Sequence, residues 1–356
     1  MKWNHSFFIV LLLLLVACSS SKKTTADINL GAAIQPVPKY SILEHKDYWV
    51  WGASMVQTDD GLCHLFYSRW PKAGPFSDWL LKSEIAYATA KKPEGPYTFQ
   101  KVMFKNSIDT GWGTTMAHNP HVQKFDNKYY LYFISTRLKD WDLGARQNHT
   151  FSQRIGVAVA DKPDGEWKII PNPIVDIQPG KPATGYVTNP SVSKRPDGTY
   201  LMMFKSRPSN WKEIEKFTAI QCLATSPTPI GPFTILDNPV LTEATAEDPF
   251  MWYQNNRYYA IADDQYGDYL PNGHGLALFE SKDARHWALA ENPVVSYPQI
   301  KWVDNTVMPL KHLERPQLFF NKKGKPAVLF CAAMDSSGTR TFNVHIPLQP
   351  MAVNKK

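Results

Sequence analysis

One short phrase recurs five times along the chain, and its spacing restricts the fold more than any other feature. Four copies are centred on proline: His118-Asn119-Pro120-His121-Val122, Thr188-Asn189-Pro190-Ser191-Val192, Glu247-Asp248-Pro249-Phe250-Met251 and Glu314-Arg315-Pro316-Gln317-Leu318. A weaker first copy, Trp51-Gly52-Ala53-Ser54-Met55, lacks the proline. Each copy leads to a polar turn: Asp59-Asp60-Gly61, Asp126-Asn127-Lys128, Pro196-Asp197-Gly198, Asn255-Asn256-Arg257 and Lys323-Gly324-Lys325. After each turn comes an aromatic or aliphatic run, at 62–68, 129–135, 200–205, 258–262 and 326–331. Turn residues between apolar runs of this length mark hairpins, and hairpins at a near-constant period mark a repeat architecture.

A second phrase follows the first in four successive units. Ile85-Ala86-Tyr87-Ala88-Thr89, Ile155-Gly156-Val157-Ala158-Val159, Ile220-Gln221-Cys222-Leu223-Ala224 and Leu276-Ala277-Leu278-Phe279-Glu280 each precede a turn and an aromatic that opens another strand. The turns carry proline or glycine in the first three units and Asp283-Ala284-Arg285 in the fourth. One unit is therefore an inner hairpin plus an outer hairpin. Four antiparallel strands repeated radially make a β-propeller, and five units predict an all-β, five-bladed β-propeller of four-stranded antiparallel blades. A β-sandwich would not keep the two phrases in a fixed order. The last unit departs from the pattern, with 341–346 as its final clear strand. The connections at 70–83, 137–154, 207–218 and 263–275 are long and rich in Trp, Tyr and charge, which marks them as ordered loops at one mouth of the channel.

The N-terminus reads as a targeting segment. Lys2 precedes an apolar run at 7–16, too short to span a bilayer, and Ala17-Cys18-Ser19 follows it. The small residues before Cys18 resemble a bacterial lipobox. That implies a signal peptide at 1–17, a lipid on the Cys18 thiol, a polar tether at 18–38 and a propeller domain at 39–356, exported and anchored to a bacterial membrane facing the periplasm. Cys63, Cys222 and Cys331 sit inside apolar strands and read as small hydrophobes, not as a disulfide framework or a zinc site. The formal net charge of +7 comes from scattered pairs such as Lys91-Lys92 and Lys322-Lys323. No basic stripe interleaves with aromatics, so the charge does not point to nucleic acid. No cofactor is indicated, although the channel of a propeller has room for a structural cation.

In a propeller the innermost strands ring a central channel, so the recurring phrase brings Trp51/Gly52, His118/Asn119, Thr188/Asn189, Glu247/Asp248 and Glu314/Arg315 around one funnel. Polar groups converging on one concave site are what a small-molecule pocket requires. From about Tyr48 onward the chain resembles the five-bladed propeller glycoside hydrolases, such as families 43, 62, 32, 68, 117 and 130. The resemblance rests on the blade phrase and on carboxylates placed before proline. In families 43 and 32 a Glu-x-Pro phrase holds the general acid; here Glu247-Asp248-Pro249 and Glu314-Arg315-Pro316 match it. In family 130 the phrase is Glu-Asp-Pro-Arg, and Phe250 stands here in place of the arginine. The first blade departs from the pattern: where families 43 and 32 carry a catalytic Asp, this chain has Trp51-Gly52-Ala53, and the nearest acid is Asp47.

The resemblance implies paired-carboxylate chemistry on an oligosaccharide substrate, with one group donating a proton and the other activating water or attacking. Glu247 or Glu314 is expected as the acid, with Asp248 as base or orienter. Arg315 would lower a neighbouring carboxyl and grip a substrate group; the structural alternative is an ion pair between Glu247 and Arg315. His118 reads either as an acid/base or sugar ligand or as a channel-packing histidine. His118 and His121 are expected on one side of the strand and Asn119 on the other. Asn119 and Asn189 suit sugar hydroxyls, and Trp51, Trp79 and Trp141 suit stacking on sugar rings or a place in the core. His121 and His274 read as substrate contacts or, more plainly, as hydrogen-bonded structural histidines. A funnel closed by long loops suggests exo-attack on plant or algal oligosaccharides. A family-130-like phosphorylase and a non-catalytic carbohydrate-binding lipoprotein are the alternatives.

Overall fold

A computed structural model describes residues 1, 28–105, 112, 116–136, 152–208 and 219–349. The signal segment, Cys18, Trp141 and the mouth-loop stretches at 137–151 and 209–218 lie outside them. The chain forms five antiparallel sheets. The first blade runs Tyr48–Gln57, Cys63–Pro71, Glu84–Ala90 and Thr98–Phe104; the second His118–Phe125, Lys128–Thr136, Gln153–Ala160 and Lys168–Ile169. The third is Thr184–Lys194, Tyr200–Arg207, Ile220–Ser226 and Thr234–Ile235; the fourth Ala246–Gln254, Arg257–Asp264, Gly275–Ser281 and Ala288–Ser296. The first strand of each blade touches its counterpart in the next, and the circle closes between Val307–Phe320 of the fifth blade and Tyr48–Gln57 of the first. This is the five-bladed propeller the repeat predicts, with each predicted turn lying between the first two strands of its blade.

The irregular last unit has a topological cause. Val307–Phe320, Pro326–Asp335 and Thr341–Pro347 supply its inner strands, and the outer strand is Ile42–Leu43 from the other end of the chain, with Ile42 opposite Val344 and Leu43 opposite Asn343. A strand borrowed from the N-terminal side joins the two ends of the ring and covers the outer edge of Thr341–Pro347.

Residues 28–38, assigned by sequence to the tether, pack against the fourth and fifth blades. Ile28, Leu30, Ala33 and Val37 are buried in one cluster with Phe250, Leu276, Val295 and Phe342. Backbone bonds fix the segment: Gln35 N–H donates to the Pro347 carbonyl at 3.0 Å, and Val37 N–H to that of Lys301 at 2.8 Å. A Cβ on Gly31 would stand 2.4 Å from the Val294 carbonyl oxygen, so only glycine permits this approach. Residues 28–38 therefore belong to the packed body. The sequence concealed this because Ile28, Leu30, Ala33 and Val37 follow no strand period.

Strand alternation builds the interfaces between blades. On Tyr200–Arg207, Met202 and Phe204 share a cluster with Tyr132 and Ile134 of the second blade, while Leu201 and Met203 share one with Met251 and Ala260 of the fourth. Both faces of such a strand are buried, so it reads as a continuous apolar run. The three cysteines are free and buried in these strands. Replacing Leu30, almost fully buried at 1% exposure, by alanine is expected to cost roughly 2–5 kcal/mol. Denaturant unfolding measures this; a change near zero would mean the N-terminal segment is not part of the folded body.

Candidate active site

The five inner strands break register at the same place. The pairing skips between Trp51 and Ala53, His118 and His121, Thr188 and Ser191, Glu247 and Phe250, and Glu314 and Gln317. At each break one residue takes positive φ: Gly52 at 37°, Asn119 at 51°, Asn189 at 55°, Asp248 at 52° and Arg315 at 56°. Glycine, asparagine and aspartate visit this left-handed region most readily, which accounts for four of the five. Arginine does not, and a bulky residue held there marks a site with a purpose beyond packing. The bulge also corrects the alternation expected from sequence. His118 and Asn119 both line the same cavity instead of facing opposite ways, as do Thr188 with Asn189 and Glu247 with Asp248.

The five left-handed residues form a ring. Asn119 Nδ2 donates to Asn189 Oδ1 at 2.8 Å, and Asn189 Nδ2 donates to Asp248 Oδ1. Arg315 Nη1 donates to the same oxygen at 3.4 Å. Gly52 closes the circle: a Cβ there would lie 3.1 Å from Asn119 Oδ1 and 3.4 Å from Arg315 Nε. Asp248 is thus gripped from two sides, and Arg315, buried behind it, is not among the residues that line the cavity.

Above the ring lies a cavity of about 380 Å³. Trp51, Trp70, Phe76 and Trp79 make its aromatic wall, and Glu247, Asp248, Glu314 and Lys205 its charged side. His118, Asn119, Gln153, Tyr186, Thr188 and Asn189 complete it. The 70–83 connection shapes the wall, through a 3₁₀ turn at Phe76–Asp78 and a helical turn at Trp79–Lys82. His118 stacks on Trp79, with centroids 4.7 Å apart, and its Nδ1 shares a 2.8 Å hydrogen bond with the Ser83 hydroxyl. Nε2 is left as the ring atom available to a ligand. Burial, and then the Arg315 guanidinium, hold this imidazole well below its usual pKa, so it is neutral at ordinary pH.

The ion pairs differ from those the sequence suggested. Glu247 Oε2 meets Lys205 Nζ at 2.8 Å, with both side chains largely buried, and Arg315 serves Asp248. Burial raises the Glu247 carboxyl; Lys205 opposes the rise, while Asp248 and Glu314 add to it. Burial would lower the Lys205 ammonium, but Glu247, Tyr186 and Asp248 outweigh it and the net shift is upward. The Glu247 shift is upward, because burial and several carboxylates act against one lysine. Glu314 Oε1 sits 2.6 Å from His312 Nδ1, on the same strand.

Two of the expected contacts lie elsewhere. His121 is fully buried in the channel, below the bulge. It accepts from Val192 N–H through Nε2 at 3.1 Å, so Nδ1 carries the proton and donates to Gln317 Oε1 at 2.9 Å. His274 does not line the cavity; its Nε2 is 3.0 Å from Asp263 Oδ1. Asp47 is exposed, away from the cavity. Sequence reading overlooked Lys205, Asp263 and His312. The signal for the first two was a charge ending an otherwise apolar run, in Tyr200-Leu201-Met202-Met203-Phe204-Lys205 and Tyr258-Tyr259-Ala260-Ile261-Ala262-Asp263. Among the described residues no group of three or more His, Cys, Asp or Glu is placed to hold a metal ion.

Two outcomes follow from this geometry. Gly52→Ala should destabilise the fold by about 1–3 kcal/mol, because it adds a Cβ to a strained backbone and crowds the ring; thermal melts test this. Burial also depresses His121 and His345 to a pKa of about 4 each. Both folded values lie below the unfolded one near 6.5, so the unfolded chain binds more protons in between. Stability should therefore be retained above about pH 6.5 and fall as pH drops toward 4. A melting temperature independent of pH across that window would contradict the assignment.

The sequence matches no family profile and no curated protein. Solved structures do match. Zg3597, a family 117 glycoside hydrolase from Zobellia galactanivorans, superposes with a TM-score of 0.61 at 14% identity, covering 88% of this chain and 89% of that one. CoXyl43, a family 43 β-xylosidase/α-arabinofuranosidase from a compost metagenome, gives 0.55 at 19% identity, covering 91% and 98%. An endo-arabinase from Bacteroides thetaiotaomicron gives 0.55 at 12%, covering 90% and 99%. Over nearly its whole described length, this chain shares the five-bladed propeller fold of glycoside hydrolases from several families.

Proposed function

We propose that this protein is a glycoside hydrolase that removes sugar units from the ends of plant or algal oligosaccharides. The observation that carries the reading is the convergence of Glu247, Asp248 and Glu314 on one aromatic-walled cavity. Hydrolysis of a glycosidic bond needs a proton donor and a second carboxylate across the scissile bond. Glu247, raised by burial and by its acidic neighbours, suits the donor. Glu314 suits the base or nucleophile. Asp248, held in place by Asn189 and Arg315, orients the substrate beside them. His118 Nε2 and Asn119 bind hydroxyls, and Trp51 and Trp79 pack against the sugar ring.

The cavity volume lies at the small end of the range for ligand pockets, about 300–1,000 Å³, which favours a terminal sugar over a long chain. The similar structures include a β-xylosidase in complex with xylotriose and a family 117 enzyme from a marine bacterium, in keeping with plant or algal substrates. A phosphorylase is disfavoured, because among the described residues Lys205 at the cavity and Arg315 behind it already serve carboxylates. Export, with a lipid on Cys18 holding the propeller at a periplasm-facing membrane, belongs to the same proposal; fatty-acid labelling lost in Cys18→Ser tests it.

Glu247→Gln, Asp248→Asn and Glu314→Gln should each lower kcat by about a hundredfold or more. The assay is sugar release from a panel of xylo-, arabino- and algal oligosaccharides of graded length, with and without phosphate. Short products from chain ends and a rate indifferent to phosphate are expected. Full activity in all three variants would overturn the site assignment, and binding without turnover in the wild type would leave a carbohydrate-binding lipoprotein.

A further inference from the structure

Asp263 is a buried acid that the proposed chemistry does not use. It ends the second strand of the fourth blade, is 1% exposed, and does not line the cavity. Its register partner on the inner strand is Glu247. Directly opposed residues of an antiparallel pair project from the same face, with Cβ atoms about 4.5–5.5 Å apart, and two like charges there repel. Each carboxyl has one basic neighbour on its far side. Lys205 Nζ is 2.8 Å from Glu247, and His274 Nε2 is 3.0 Å from Asp263. Lys205 of the third blade thus pairs with Glu247, and His274 pairs with the adjoining Asp263.

The following loop is folded to deliver that histidine. Asp264 Oδ1 accepts from Asp268 N–H at 2.9 Å, and Oδ2 accepts from Tyr269 and Leu270 N–H at 3.0 and 2.8 Å. These bonds wrap the loop around one carboxylate and bring it back through Gly273, at φ +88°, to His274. His274 does not line the cavity and is 25% exposed on its side chain, the most exposed of the four groups. The other groups that act on Asp263 are Glu314 from the fifth blade's inner strand, Asp248 beside Glu247, and Asp264 on its own strand; the Cys331 thiol faces it from the fifth blade's second strand. Arg315 is committed to Asp248.

We propose that Asp263 is a positioning residue for the site: its carboxyl shares one proton with Glu247 across the paired strands, and His274 fixes its orientation from the solvent side. The proposal rests on the glycosidase reading. Two buried carboxyls that share a proton give up the last one reluctantly, because ionising both sets like charges side by side. Asp263 itself is raised well above the usual carboxylate range by burial and by Glu314, Glu247 and Asp248, consistent with this geometry. Asp263 would thus keep Glu247 supplied with its proton at a pH where an isolated glutamate has lost it.

The test is the pH dependence of kcat/KM in Asp263→Asn, which keeps the shape and removes the charge. The basic limb, which reports loss of the donor's proton, should move down by about one pH unit or more, while activity at low pH stays within about threefold of the wild type. His274→Gln, which leaves both carboxyls in place, should move the limb far less. An unmoved limb in Asp263→Asn would overturn the proposal. Carbon-13 NMR of wild-type protein labelled at its side-chain carboxyls provides a readout that needs neither turnover nor a folded variant. At least one Asp or Glu carboxyl should stay protonated at neutral pH, and a spectrum in which every carboxyl titrates in the ordinary range would also overturn it. An inactive wild type that still shows the protonated carboxyl would remove the glycosidase reading and leave the shared proton standing.

Discussion

The inner strands of this propeller depend on a single backbone device, the left-handed residue inserted at the mouth of each blade. Regular alternation would send neighbouring residues to opposite faces of a strand. One extra residue at positive φ breaks that rule and turns two adjacent side chains toward the axis. Asn119, Asn189, Asp248 and Arg315 then meet one another directly, and Gly52 leaves the room in which Asn119 and Arg315 approach each other. The residue types follow from the conformation. Arg315 is the exception, and its long side chain does what no shorter one at that position would do: it reaches across to the neighbouring blade's carboxylate.

The charges at the cavity follow from the same arrangement. Bringing Glu247, Asp248, Glu314 and Asp263 into one dry region would be prohibitive for four ionised groups. Lys205 and Arg315 supply two positive charges, and His312 and His274 stand beside the remaining carboxyls. Burial and the neighbouring acids raise the Glu247 and Asp263 carboxyls, the condition that acid catalysis at neutral pH would demand. The wall opposite is aromatic and neutral, with His118 held uncharged by burial. A sugar entering this cavity would meet an apolar face on one side and carboxyl groups on the other.

Much of the architecture was legible because it repeats. Five copies of a phrase, each followed by a turn, count the blades without any knowledge of their packing. Glu247, Asp248, Glu314, His118, Asn119, Asn189 and Trp51 could be assembled from sequence because equivalent positions in a ring must face one axis. His121 and His274 could not be placed this way. One lies two residues beyond the left-handed residue of a bulge that flips strand parity, and the other depends on a loop wrapped around Asp264. Lys205 and Asp263 sit on second strands, outside the recurring phrase, and only their charge within apolar runs gave them away.

By itself the sequence determined the number of blades, the strand period and the set of residues that ring the channel, because local pattern and repetition carry that information. Tertiary structure alone decided three things. It closed the ring with a strand from the other end of the chain, as Ile42 and Leu43 meet Val344 and Asn343 only after five blades have turned through a full circle. It brought residues 28–38 into the core, where their scattered apolar side chains find partners contributed by distant strands. And it chose which cation serves which carboxylate, giving Lys205 to Glu247 and Arg315 to Asp248. Ion pairing at a few ångströms depends on side-chain reach across neighbouring blades, and no spacing along the chain encodes that distance.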